Sequence, residues 1–186
     1  MAVLLPSEIF DKEQYMEELI DVYDENRVLT GEVLPRKTKL PKGKYMLYVI
    51  AIIRNQEGKI LVTRRSLDKH WAAGSWEIPG GGASQGETSF DAVKREVVEE
   101  TGISITEECS RVIYSYRNDD DGGDNYFTDI YVCDAVFDIN DVTIQEREVI
   151  DVRLVTLDEI SELHNTDGFL HYERICAAIE KDIAGA

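Results

Sequence analysis

Three patterns of apolar and polar positions divide the chain. Residues 11–20, DKEQYMEELI, read as a short helix, and DVYDENRVLTGEVLPR reads as a strand, a turn at Asp24-Glu25-Asn26 and a second short strand, together an N-terminal hairpin. Pro35, Pro41 and Gly43 mark a connection, with the basic cluster Arg36, Lys37, Lys39, Lys42 and Lys44 between and around them. KYMLYVIAIIRN and KILVTRR are β-branched runs on either side of Gln56-Glu57-Gly58, which predicts a second hairpin. A loop, SLDKHWAAGSW, leads to the brief strand WEIP. SRVIYSYR and YFTDIYVCDAVF predict antiparallel strands around the acidic loop 118–124, and REVIDVRLVTL a further strand. Asp158 to His164 predicts a short helix, and Phe169 to Ile183 an amphipathic one.

The best-defined element lies between these strands. Thr88 followed by Asp91 makes a capping box, and Gly102 supplies the left-handed stop. Phe90, Val93, Val97 and Thr101 fall on one stripe, the face that packs on a sheet. Beside it Glu96, Glu99 and Glu100 share an arc of roughly 100°. Like charges at this spacing repel unless something positive sits among them.

Composition narrows the class. With 186 residues, 43% hydrophobic and 31% charged, the chain is sized for one soluble domain with a small appendage. Its longest apolar run is strand-sized and stops at Arg54, and the N-terminus lacks the basic start and apolar stretch of a signal peptide, so the expected setting is the cytoplasm, without a membrane partner. Cys109, Cys133 and Cys176 have neither disulfide nor zinc-site spacing. A formal net charge of -17 argues against nucleic acid as a partner, although a small phosphorylated substrate remains compatible when a divalent cation mediates the contact. The acidic loop lacks the spaced ligands of a calcium loop and reads as a solvated turn.

The chemistry concentrates after the glycines. Gly81, Glu87 and the run Arg95-Glu96-Val97-Val98-Glu99-Glu100-Thr101-Gly102-Ile103 match the Nudix box at each of its specified positions, so the chain resembles the Nudix hydrolase family. The resemblance implies an α/β fold, an α/β/α sandwich with a mixed β-sheet between helices, here with residues 1–42 as an N-terminal helix and hairpin extension and 43–186 as the Nudix domain. Independently of family, hard oxygen donors on one helical turn suit Mg2+ or Mn2+, which relieves the carboxylate repulsion and activates water toward phosphorus. The resemblance implies Glu96, Glu99 and Glu100 as metal ligands, with the Gly80 carbonyl as a further one. Arg95 and Glu87 would form a supporting pair, for which a purely structural salt bridge is an equal reading. Glu99 or Glu148, from the stretch Gln145-Glu146-Arg147-Glu148, would be the general base.

Upstream, Arg65 falls where a phosphate-contacting arginine is expected, His70 and Trp71 where a base could be met, and Glu77 beside the metal site. His164 and His171 read as structural. The implied activity is hydrolysis of a diphosphate linkage in a nucleoside diphosphate derivative or nucleotide. Two alternatives stay open: a ligand-sensing Nudix module without chemistry, and an enzyme like isopentenyl diphosphate isomerase, whose branch the N-terminal pattern DVYDENRVLTGEVLPR resembles but whose cysteine near the glycine loop is absent here. The region Arg117 to Asp120 carries neither the proline nor the tyrosine that marks two Nudix substrate classes. The extra hairpin could pair across a two-fold axis, which makes a homodimer one arrangement open to the chain.

Overall fold

The computed structural model describes residues 18–145 and 147–185. Most of the helix expected over 11–20 lies outside them, and its last two residues are strand instead. Ile20 and Val22 alternate inward from β1 (Leu19–Tyr23) onto Leu40 and Met46, so a period of two prevails there. β1 pairs antiparallel with β2 (Leu29–Pro35). The turn is fastened by the Asp24 carboxylate, which accepts from the amides of Asn26 and Val28 at 2.9 and 2.8 Å, while Arg27 takes φ 63°.

The main sheet is mixed. β3 (Met46–Arg54) runs parallel to β8 (Tyr126–Asp134) along its whole length, and β8 continues antiparallel into β7 (Ser110–Asn118), as expected for those two strands. β3 is nearly all apolar because both its faces are covered. Leu47, Val49, Ala51 and Ile53 meet Val93 and Val97 of α1 (Ser89–Thr101), whereas Ile50 and Ile52 meet Ile160 and Ile175 of α2 (Leu157–Thr166) and α3 (Tyr172–Gly185). This is the α/β/α arrangement that the family resemblance implied.

The second expected hairpin is only partly formed. β3 and β4 (Ile60–Arg65) pair at the single position Arg54↔Ile60 and then diverge. Into the opening come β5 (Trp76–Glu77), which pairs with β4 at Thr63 and Arg64, and β6 (Gly80–Gly82), which pairs with β3 at Tyr48 to Ile50. The other edge of β4 is taken by β9 (Val149–Val155). Two β-branched strands can therefore share a turn and still part, when an inserted segment, residues 76–82, pairs with both inner edges. The C-terminal helix also starts later than its pattern suggests. Gly168 to Leu170 is caught on β5 through Trp76 N–H to Gly168 O (3.0 Å) and Leu170 N–H to Trp76 O (2.8 Å), and His171 at φ 57° turns the chain into α3.

Among the described residues no helix is long and apolar enough to cross a membrane. The N-terminal hairpin joins the sheet through reciprocal Tyr23 and Tyr45 backbone bonds of 2.8 and 2.9 Å and through Arg27, whose guanidinium pairs with the buried carboxylate of Asp129 on β8. Ser115 and Ser89 donate to the same carboxylate, each at 2.6 Å. Burial opposes the Asp129 charge, yet the bonds from Arg27, Ser115 and Ser89 hold its pKa below the ordinary 3.8. Its stabilising contribution is complete above that ordinary value and is lost as pH falls through the lower folded value. Arg27→Ala leaves the carboxylate without its cation and should destabilise by about 2 kcal/mol, less than a fully enclosed pair because Arg27 is 34% exposed. Urea titrations of both proteins should show that loss at neutral pH and a shallower decline in acid for the variant.

Candidate active site

α1 begins as its sequence dictates. The Thr88 side chain accepts from the Asp91 amide while the Asp91 carboxylate accepts from the Thr88 amide, and Gly102 at φ 71° closes the helix with its N–H on Val98 O. Val93, Val97 and Thr101 are buried against the sheet, with Phe90 partly buried beside them. The three glutamates next to this stripe are not equivalent. Glu96 and Glu100 are buried beside β6, while the Glu99 side chain is half exposed.

β6 can lie there because its residues lack side chains. A Cβ on Gly80 would stand 2.3 Å from the Val49 carbonyl, and one on Gly81 would stand 2.3 Å from a Glu96 carboxylate oxygen. Ala51 N–H to Pro79 O and Ala83 N–H to Leu47 O place residues 79, 81 and 83 in the ladder to β3, both at 2.8 Å. Alternation then turns the amides and carbonyls of Gly80 and Gly82 toward the opposite edge. There the Gly80 amide donates to Glu100 at 3.3 Å, and the Gly82 carbonyl accepts from Arg95 at 3.0 Å and from Arg36 at 2.5 Å.

Arg95 is the positive group that the crowded helix needs. Its guanidinium holds Glu87 through two bonds of 2.7 and 3.0 Å, Glu96 at 2.8 Å and Glu99 at 3.1 Å. Burial works against the Glu87 charge, but Arg95 and the Ser84 amide hold its carboxyl low. Burial pushes Glu96 up against the attraction of Arg95 and Arg36. Glu100 is pushed well up by burial, then by Glu77 and Glu96, with only the Gly80 amide and Lys69 acting the other way. Spacing on one turn thus brings the acids together, but among the described residues no three carboxylate, imidazole or thiolate groups converge on one coordination point. Glu96 and Glu99 turn to Arg95, and Glu100 turns to the loop.

The other expected residues are distributed unevenly. Arg65 makes bonds of 2.9 Å to both oxygens of Glu77 and lies 5.6 Å from the centre of the Trp71 ring. Glu77 is itself pushed up by burial against the pull of Arg65. His70 is exposed on the loop before β5. Glu148 is tied to that loop by an ion pair with Lys69 and by the Ser66 amide, which donates to its carbonyl at 2.8 Å.

Three further groups stand near these residues, and the sequence pattern gives Lys69 and Arg36 no part in the site. Lys69 feels Glu100, Glu77 and Glu96, although burial and Arg65 outweigh them and lower its pKa. His171, read as structural and lying 6.5 Å from Trp71 between ring centres, keeps an exposed edge while desolvation, then Arg174 and Arg65, lower its pKa. Arg36 belongs to the basic cluster that marked a connection, and nothing in its local pattern points 46 residues ahead to Gly82. From the contacts at the glycines, Gly81→Ala should displace the Glu96 carboxylate and abolish activity while the helix content persists; circular dichroism beside a turnover assay checks both.

Comparison with known proteins fits this geometry. The family model described as the NUDIX domain matches residues 44–175. An uncharacterized Nudix hydrolase of Listeria monocytogenes is 36% identical over 153 residues, covering 82% of this chain and 88% of that one. The 8-oxo-dGTP diphosphatase of Escherichia coli is 44% identical over 61 residues, 33% of this chain and 46% of that one. Among solved structures, the MutT protein of Methanosarcina mazei Go1 aligns with a TM-score of 0.61 at 26% identity, over 80% of this chain and 99% of that one. A domain match that spans most of the chain, together with a relative matched over most of both lengths, means that this chain belongs to the Nudix hydrolase family.

Proposed function

We propose that the chain hydrolyses a diphosphate linkage in a nucleoside diphosphate derivative or nucleotide, in the cytoplasm, with Mg2+ or Mn2+ as cofactor. The observation that carries the proposal is the burial of Glu96 and Glu100 against a glycine segment, with Glu77 also acting on Glu100 and too few cations to balance them. Carboxylates raised by burial and, at Glu100, further by neighbouring acids suit a hard divalent ion, and the donor set of Glu96, Glu99, Glu100 and the Gly80 carbonyl is all oxygen. When bound, that ion polarises a phosphoryl oxygen and lowers the pKa of a water. The name of the Escherichia coli diphosphatase supports a nucleotide as the substrate class.

The chain's own groups divide the remaining work. Water attacks phosphorus, its proton passes to a carboxylate, and the bond to the bridging oxygen breaks, which leaves two phosphorylated products. Glu99 is better placed than Glu148 to take the proton, since it is half exposed and held by one bond to Arg95, whereas Glu148 is tied to Lys69 and Ser66. Arg95 and Glu87 hold the loop to the helix. Arg65 bonds Glu77 through Nη1 and the Trp71 carbonyl through Nε, which leaves the Nη2 donors to meet a phosphate while the Glu77 pair is kept.

The isomerase alternative finds no thiol at the glycines. Cys133 is buried on β8 opposite Ile53, with burial pushing its pKa up to about 11, Cys176 lies on α3, and Cys109 follows α1 on a short turn.

Replacing Glu99 and Glu100 together by Gln should abolish Mg2+- or Mn2+-dependent phosphate release across a panel of nucleoside diphosphate derivatives and triphosphates, with an unchanged far-ultraviolet spectrum. Undiminished turnover would end the proposal. In chelator, Glu100→Gln should raise the melting temperature, because it removes a buried carboxylate repelled by Glu77 and Glu96. Added Mn2+ should raise the melting temperature of the wild-type chain in a concentration-dependent way and leave the double variant unmoved.

A further inference from the structure

The N-terminal hairpin lies outside the matched domain, which begins at residue 44, yet it reaches the catalytic loop at four points. Arg36 donates to the Gly82 carbonyl at 2.5 Å. The Leu19 carbonyl accepts from the Gln85 amide at 2.9 Å, and the Asp21 carboxylate accepts from the Gly86 amide at 2.7 Å. The Ser84 hydroxyl donates to Glu18 at 3.4 Å. Gln85 and Gly86 are exposed, and Gly86 sits at φ 80°, so these two amides on a short loop are held by the hairpin rather than by the domain that carries the loop.

The hairpin is itself braced for such a task. Arg36 pairs with Glu18 at 2.8 Å, and its backbone amide donates to the Glu18 carbonyl at the same distance. At the far end Arg27 grips Asp129, which accepts from Ser89 in the first turn of α1. One extension therefore holds both the loop and the start of the helix that the loop feeds.

The position of the loop governs the charge array. Gly82 O is shared by Arg36 and Arg95, and Glu87, at the end of the loop, fixes two of the Arg95 donors. A displacement of residues 82–87 would carry Glu87 away from Arg95 and release its grip on Glu96 and Glu99.

We propose that the N-terminal hairpin is a clamp on the catalytic loop, in which Arg36 and Asp21 are positioning residues that set Gly82 to Glu87 and, through them, the Arg95 array. The clamp rests on the proposed hydrolysis for its kinetic consequence alone. Its structural consequence can be measured without turnover.

The test uses the full chain with Arg36→Ala, Arg36→Lys and Asp21→Ala. Amide hydrogen exchange over residues 82–88 should quicken about tenfold in the two alanine variants, with β3 and β8 unchanged, and Arg36→Lys should recover part of the protection. In a substrate assay kcat should fall about 10- to 100-fold with KM held within about twofold, and Lys should again restore part of it. Loop exchange equal to wild type in both alanine variants overturns the clamp. A quickened loop with unchanged kcat overturns the positioning role. Should Arg36→Ala loosen the whole fold, Asp21→Ala, which removes one acceptor at the hairpin rim, decides the matter. A wild-type chain that turns over nothing on the panel counts against hydrolysis, and the exchange data still judge the clamp.

Discussion

A single guanidinium balances the charge on which the site is built. Arg95 donates five hydrogen bonds, to Glu87, Glu96, Glu99 and the Gly82 carbonyl, and so joins the loop to the helix while offsetting acids that would otherwise drive each other apart. Carboxylates taken out of water are tolerated only with a countercharge at close range. Glu87 and Glu96 have that countercharge in Arg95. Glu100 does not, and its raised pKa records the deficit that makes the oxygen-rich corner suited to a divalent cation.

Backbone geometry makes the corner possible. β3 and β4 part after one shared pair, and the short strands at Trp76–Glu77 and Gly80–Gly82 fill the gap from opposite sides. The glycines then serve two surfaces at once, pressing on the β3 backbone on one side and on the Glu96 carboxylate on the other. Any side chain there would separate helix from sheet. The apolar stripe of α1 and the acidic flank thus depend on the same close approach, one through packing and the other through charge.

The surroundings extend this frame in two directions. The end of β4 sets Arg65 on Glu77, and the loop that follows brings Trp71 to Arg65 and, through Lys69, binds Glu148 at the entry to β9. The N-terminal hairpin brings Arg36 and Asp21 to the other side. Cations that reach the acids from outside α1 come from segments distant in sequence, so the balance of charge is a property of the assembled fold.

What was legible in the sequence is what local chemistry decides. The α1 boundaries followed from a capping box and a left-handed glycine, and the alternating strands at β7 and β8 followed from period two, because both signals act within a few residues. The Nudix box likewise marked the turn of helix behind the side-chain-free loop, but the partners of its acids, Arg95 for Glu96 and Glu99 and the Gly80 amide for Glu100, were set by the fold. The sequence could not decide whether β3 and β4 stay paired, because the wedge that separates them comes from residues 76–82. Nor could it tell Glu100 from Glu99. A helical step places both on one flank, but only the landing of β6 decides which is buried and which meets solvent. Arg36 and Lys69 became part of the site for the same reason: long-range packing, which no local period encodes, set their charges beside acids far along the chain.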